Sequence, residues 1–155
     1  MYTKILAPLD GSSLAECTIE HVKEIAKGCS VPEVVFLFVV DIARNAYWAA
    51  DVAPNVHLLE QAEEAQKEGA ETYLKKVVAQ AKKDGLAAKA VVVEGSPADA
   101  IVDYAQKNGV DLIVMSTHGR SGVSRFALGS VTDKVIRTVA APVLVVTPAE
   151  CKVKI

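Results

Sequence analysis

Asp111-Leu-Ile-Val-Met-Ser-Thr-His-Gly-Arg-Ser-Gly-Val-Ser-Arg-Phe-Ala-Leu-Gly-Ser130, continued by Val131-Thr-Asp-Lys-Val-Ile-Arg-Thr-Val139, decides how this chain folds. The apolar run Leu112 to Met115 predicts a buried strand, and Val131, Val135, Ile136 and Val139 recur at helical spacing. Strand, loop and helix succeed one another. The loop carries three glycines, two arginines and a histidine, and no acid. Glycines let backbone N–H groups come close to a ligand, and a Gly-Ser pair at a helix start favours an anion. Ser130 with Asp133 also has the spacing of a capping box, a role compatible with ligand contact.

The rest of the chain bounds what such a site can serve. At 155 residues the chain suits one domain, with residues 149–155 as a tail, and buries roughly 70% of its unfolded surface without needing a metal or a bridge. A net charge of −2, with acids and bases interspersed, argues against nucleic acid or an anionic membrane as partner. Cys17, Cys29 and Cys151 form no C-x-x-C and are expected as free thiols in a reducing compartment. The start, Met1-Tyr-Thr-Lys, has no leader pattern and no apolar run reaches membrane-spanning length, so the expected location is cytoplasmic.

From the N-terminus, strands and helices alternate. Ile5 to Leu9 reads as a strand, and Ser13 with Glu16 as the capping box of a helix to Gly28 that buries Ala15, Ile19, Val22 and Ala26. Val34 to Val40 is a β-branched run typical of a strand covered on both faces. Residues 41–57 lack a period, and Tyr47 and Trp48 there suit either a lid or surface packing. Leu58 to Asp84 predicts one long helix with an apolar stripe of Leu58, Ala62, Ala65, Tyr73, Val77 and Ala81. Lys89 to Val93 is a third strand. Ser96, Pro97 and Asp99 start a helix that turns Ile101, Val102 and Ala105 inward and stops at Gly109, and Pro142 to Thr147 is a fifth strand.

Five strands separated by four helical patterns predict an α/β fold, an open doubly wound parallel sheet with helices on both faces. Ligands of such sheets bind beyond the carboxyl ends of the strands, where the strand order reverses. With the order 3-2-1-4-5, that point brings Pro8, Leu9 and Asp10 opposite Met115, Ser116 and the basic loop. A carboxylate and an anion loop lining one crevice suit a nucleotide. Neither G-x-x-x-x-G-K-[ST] nor G-x-G-x-x-G is present, so neither a Walker-type NTPase nor a dinucleotide-binding domain is supported.

Gly119, nine intervening residues and Gly129-Ser130 resemble the universal stress protein family in its nucleotide-binding branch, whose loop pattern is G-x2-G-x9-G-[ST]. The likeness extends to Lys4-Ile-Leu-Ala-Pro-Leu-Asp-Gly-Ser, Gly95-Ser-Pro, Leu128-Gly-Ser-Val and Ala141-Pro-Val-Leu-Val-Val. It implies a Rossmann-like fold of the adenine nucleotide alpha hydrolase type with strand order 3-2-1-4-5. It also implies ATP, or ADP, AMP or a cyclic nucleotide, in the crevice. Adenine and ribose would meet Pro8, Leu9, Asp10 and the backbone around Val39, with Met115 and Ser116 beside the ribose. The phosphates would meet Gly119, Arg120, Gly129, Ser130, Val131 and Thr132, with His118 in the same loop. The resemblance further implies a homodimer through the last strand, Val143, Leu144, Val145 and Val146, whose apolar edge is a liability if exposed.

Ser116 departs from the pattern, standing where the family has its first glycine. If that position needs positive φ, serine costs affinity; if it is ordinary extended backbone, serine fits and can add a hydroxyl contact. Two rival functions share the fold: slow ATP hydrolysis or phosphoryl transfer, drawing on His118, Asp10 and nearby serines, and a ligand-free dimeric interaction module. Whether Mg2+ joins the phosphates to Asp10 or to water is open at this level.

Overall fold

The computed structural model describes residues 1–41, 56–117 and 128–147. Its elements are β1 (Lys4–Leu9), α1 (Ser13–Glu16), α2 (Thr18–Gly28), β2 (Glu33–Val40), α3 (Val56–Lys83), β3 (Ala88–Glu94), α4 (Pro97–Lys107), β4 (Leu112–Ser116), α5 (Ser130–Thr138) and β5 (Val143–Val146). All strand pairs are parallel, in the order β3-β2-β1-β4-β5. The expected fold class and strand order are both present.

The continuous apolar runs have their reason in the two layers that cover the sheet. Ile5, Ala7, Val34, Phe36, Leu112 and Val114 pack under α1, α2 and α3, with Val22 and Leu74 at no exposure. Leu6, Val35, Leu37, Ile113 and Met115 point the other way, against Ile101, Val102 and Ala105 of α4 and Val135 of α5. Period-two alternation thus puts apolar side chains on both faces of β1, β2 and β4. Each fully buried aliphatic or aromatic side chain stabilises by about 1.5–3 kcal/mol relative to exposure.

Several local expectations are corrected. The first N-cap is Ser12, whose hydroxyl accepts from Ala15 N–H at 3.1 Å, not Ser13, and the helical ladder lapses at Cys17, so one helix becomes α1 and α2. Thr18, not foreseen as buried, has no exposure and donates its hydroxyl to Ala15 O at 2.7 Å, while Ile19 is half-buried. Among the cysteines, Cys29 is free but Cys17 is disulfide-bonded, against the expectation of a free thiol there. In α3, Ala62 and Ala65 are exposed and the buried positions are Ala70, Leu74 and Ala81.

Length explains the shifted stripe. At 1.5 Å per residue α3 is about 42 Å long, whereas the eight-residue strand β2 spans about 26 Å. Lys67, paired with Glu94 at 3.3 Å, marks where α3 passes the carboxyl end of β3. The turns before it overhang the sheet, and none of their described side chains is buried. Tyr47, Trp48 and the tail beyond Thr147 lie outside the described residues. No described helix is long and apolar enough to cross a membrane.

Candidate functional site

The sheet is closed at its amino ends and open at its carboxyl ends along one seam. β1 pairs with β2 up to Leu9↔Phe38, and β4 with β5 up to Ser116↔Val146. Between β1 and β4, however, the ladder stops at Leu6↔Ile113, although the two strands run on to Leu9 and Ser116. The two central strands part where the strand order reverses, which is where parallel sheets hold ligands.

On one side of the seam the chain leaves β1 through Asp10, Gly11 and Ser12. Asp10 Oδ1 accepts from Ser12 N–H at 2.9 Å and from the Ser12 hydroxyl at 2.6 Å, an Asx turn that fixes the carboxylate. Gly11 has φ 79°, a left-handed conformation that glycine adopts without a β-carbon penalty. Ser12 therefore orients Asp10 and caps α1 at once. Val39, at the end of β2 on the far side of β1, is half-buried and packs toward the α4 and α5 layer with Met115.

On the other side, the backbone beyond β4 is tied to β5 and to the start of α5. Thr117 N–H donates to Val146 O at 3.0 Å, Gly129 N–H donates to Thr117 O at 2.7 Å, and the buried Thr132 hydroxyl donates to Ser116 O at 2.9 Å. The chain thus returns at Gly129 to the point it left at Thr117. Gly129, rather than Ser130, occupies the N-cap position, with Asp133 N–H donating to Gly129 O at 2.9 Å and no side-chain cap bond. The expected Ser130–Asp133 capping box is absent because Asp133 is engaged elsewhere. Arg137 Nε lies 3.0 and 2.9 Å from its two carboxylate oxygens.

This arrangement leaves the N–H groups of Ser130, Val131 and Thr132 outside the intrahelical ladder, at the positive end of the α5 dipole. Ser130 is exposed, Val131 half-buried and Thr132 buried. Of the expected site residues, the structure brings Pro8, Leu9 and Asp10 to one wall of the seam and Met115, Ser116, Gly129, Ser130, Val131 and Thr132 to the other. His118, Gly119 and Arg120 lie outside the described residues. Two contributors escaped the sequence reading, the Thr117 carbonyl and Ser12. Asp10 and Ser12 have the spacing of an Asx turn, a signal that could have identified Ser12; a backbone carbonyl has none.

Ser116 is resolved by its backbone. It is a paired strand residue, 8% exposed, and among the described residues Ser30 is the one non-glycine at positive φ. The position is ordinary extended chain, so glycine is not demanded there by conformation. No group of three or more metal-type side chains occurs among the described residues.

The family model of the universal stress proteins matches residues 1–147. The chain is 38% identical over 146 residues to universal stress protein MJ0531 of Methanocaldococcus jannaschii, covering 94% of this chain and 82% of that one. It is 35% identical to universal stress protein MJ0577 of the same organism, covering 94% and 95% of the two chains. The solved structure of MJ0577 superposes with a TM-score of 0.83 at 33% identity, over 95% of this chain and 96% of that one. A universal stress protein family structure from Arabidopsis thaliana with AMP bound shares the fold at a TM-score of 0.61 and 18% identity, over 94% and 91% of the chains. Sequence, strand order and fold converge on one assignment: the chain belongs to the universal stress protein family.

Proposed function

We propose that this protein binds ATP or a related adenine nucleotide in the seam between β1 and β4 and works as a nucleotide-dependent sensor or regulatory module in a stress response. The observation that carries the reading is the opened seam, with an oriented carboxylate on one wall and a helix N-terminus on the other. Asp10 accepts from ribose hydroxyls or the exocyclic amine, and the backbone near Pro8, Leu9 and Val39 meets the base edge. Met115 and Ser116 floor the sugar. The N–H groups of Ser130, Val131 and Thr132 receive phosphate oxygens, with Gly129 leaving room in front of them and His118, Gly119 and Arg120 continuing the site in the loop. This donor set suits an anion directly, and where Mg2+ accompanies the nucleotide its ligands are the phosphates and water. Fold-level support comes from the AMP-bound relative.

Heat-denaturing the purified protein and identifying the released small molecule by mass spectrometry tests the reading. Near-stoichiometric adenine nucleotide is the expected result. Nothing released, and then no binding in a titration with ATP and Mg2+, would sink it. Turnover no faster than solution hydrolysis marks a binding module; sustained turnover would make it an enzyme. The same proposal pairs two copies through β5, an edge strand whose Leu144 is 37% exposed. Leu144→Asp should release monomer in sedimentation, and an unchanged dimer would refute that interface.

A further inference from the structure

The three cysteines of the chain are not equivalent. Cys29 is a free thiol, whereas Cys17 is disulfide-bonded. These two cannot be partners. They occupy opposite ends of α2, and a rise of 1.5 Å per residue sets their Cα atoms roughly 18 Å apart, where a disulfide needs less than about 7 Å. Within the chain that leaves Cys151, which lies outside the described residues. The reach is sufficient. Val146, the last residue of β5, is buried in the same core cluster against which Cys17 packs, and the extended chain from Val146 to Cys151 spans up to about 17 Å.

The surroundings of Cys17 suit exchange more than a permanent staple. The residue is half-buried and open to a small reagent. It is the N-cap residue of α2, so the positive end of the helix dipole favours its thiolate, which is both the attacking and the leaving form in thiol–disulfide exchange. Its Sγ lies 2.7 Å from Leu14 O, an acceptor for the thiol proton once the bridge is open. Cys151 follows the last strand, whose backbone pairing with β4 does not depend on the bridge.

We infer that Cys17 and Cys151 form a reversible disulfide, a modification site through which the protein takes its redox state from low-molecular-weight disulfides of the glutathione class. The Cys17 thiolate attacks one sulfur of such a disulfide, forming a mixed disulfide and releasing one thiolate. The Cys151 thiolate then attacks the Cys17 sulfur and releases the other. The two protein thiols are oxidised, losing two electrons and two protons, and the small disulfide is reduced to two thiols. The closed bridge joins the α1–α2 junction to the segment after β5, and so encloses β2 through β5 in one covalent loop. This site uses none of the residues assigned to the nucleotide and does not depend on that reading.

The test equilibrates the full chain with oxidised glutathione, blocks the remaining thiols with an alkylating agent in denaturant, and maps the digested peptides before reduction. A Cys17 peptide linked to a Cys151 peptide of the same chain, with Cys29 alkylated, is the expected result. Cys17 linked to Cys29, Cys17 linked across two chains, or Cys17 alkylated would overturn the pairing. Two variants separate the steps. Cys151→Ser should retain glutathione on Cys17 as a mixed disulfide, because the thiol that displaces it is gone; an alkylated Cys17 there would mean that it is not the attacking thiol and overturn the site. Cys29→Ser should bridge as the wild type does, and loss of the bridge would give Cys29 a part in it and overturn the pairing. Reversibility is read in glutathione buffers of increasing reduced share, where the bridged fraction should fall below about a tenth and recover on reoxidation. A bridge that persists in excess reduced glutathione would be a structural staple and overturn the redox response.

Discussion

The two ends of the sheet are constructed in opposite ways. At the amino ends every strand start is tied to a neighbour. Asp111 accepts from Thr3 N–H at 2.7 Å, the Thr3 hydroxyl at 2.6 Å and Lys4 N–H at 3.0 Å, and its own N–H donates to Lys4 O. Glu33 is held by Lys4 from β1 and Lys89 from β3, so one carboxylate joins three strands. At the carboxyl ends the central pair separates after Leu6 and Ile113, and the backbone donors there are gathered at the α5 N-terminus instead of being used up in a ladder. One end invests its polar groups in holding strands together, and the other keeps the N–H groups of Ser130, Val131 and Thr132 outside the helical ladder. Changes at the closed end should therefore move stability alone, and changes at the open end binding alone.

The largest expected effect breaks the open end. Gly129 has φ −58° and ψ 149°, a conformation any residue adopts, so Gly129→Phe keeps the backbone and fills the space before the helix N-terminus. ATP affinity measured by titration should drop about a hundredfold, or ~2.7 kcal/mol, with the melting temperature nearly unchanged. Unaltered affinity would remove the phosphates from that position.

At the closed end, Asp111→Ala should cost about 2 kcal/mol in denaturant unfolding, since it strips an acceptor from three donors while its charge-assisted bonds are lost together. Nucleotide affinity of the folded fraction should stay at the wild-type value. A loss of binding without a loss of stability would reverse the contrast between the two ends.

Acidity sharpens the same point. Burial alone would raise the Asp111 pKa, but the hydrogen bonds from Thr3 and Lys4 outweigh it and hold the carboxyl below its ordinary value. A depressed folded pKa stabilises fully above the unfolded value of about 3.9 and loses that contribution as pH falls through the folded one. Glu33, lowered chiefly by its bond to Lys89, acts in the same direction. Asp111→Asn should be less stable than wild type at neutral pH, and the gap should narrow as pH falls below about 4. A gap that persists at low pH would mean that packing, not charge, ties the strand starts.

The smallest effect is a gain. Ser30 sits at φ 52° just past α2, with Ser30 N–H donating to Lys27 O and Val31 N–H to Ala26 O, a Schellman stop in which the left-handed residue is serine. Ser30→Gly should raise stability by about 0.5–1 kcal/mol by relieving that conformation. Binding should again be indifferent to it.

These particulars also show what a sequence can carry. The strands were legible because β1, β2 and β4 are buried on both faces and spell continuous apolar runs. None of the three capping boxes drawn from spacing forms its side-chain bonds. Asp10 orients Ser12, one residue ahead of Ser13, as the cap of α1; Ser96 is the N-cap of α4 as expected, but Asp99 turns to Lys134; and Asp133 turns to Arg137. The stripe of α3 failed at Ala62 and Ala65 because helical spacing says nothing about how far the strand beneath extends. The opened seam itself was not legible, since it depends on where pairing between two strands distant in sequence stops. The walls of the site were legible, because Asp10 and Gly129-Ser130 carry their chemistry in their own residue types.

The overhang of α3 has a consequence for how the molecule breathes. Up to Gly69 its turns are held by their own hydrogen bonds, with no described side chain buried, and burial begins at Ala70. Glycine inside a helix weakens it by about 1 kcal/mol relative to alanine, so Gly69 stands at the boundary between a segment free to open and one locked to the core. Amide hydrogens before Gly69 should exchange with solvent through local fraying, orders of magnitude ahead of those around Leu74, whose release requires the whole domain to unfold. One helix, continuous by geometry, then contains two elements by stability, and the less stable one stands at the edge where the sheet opens.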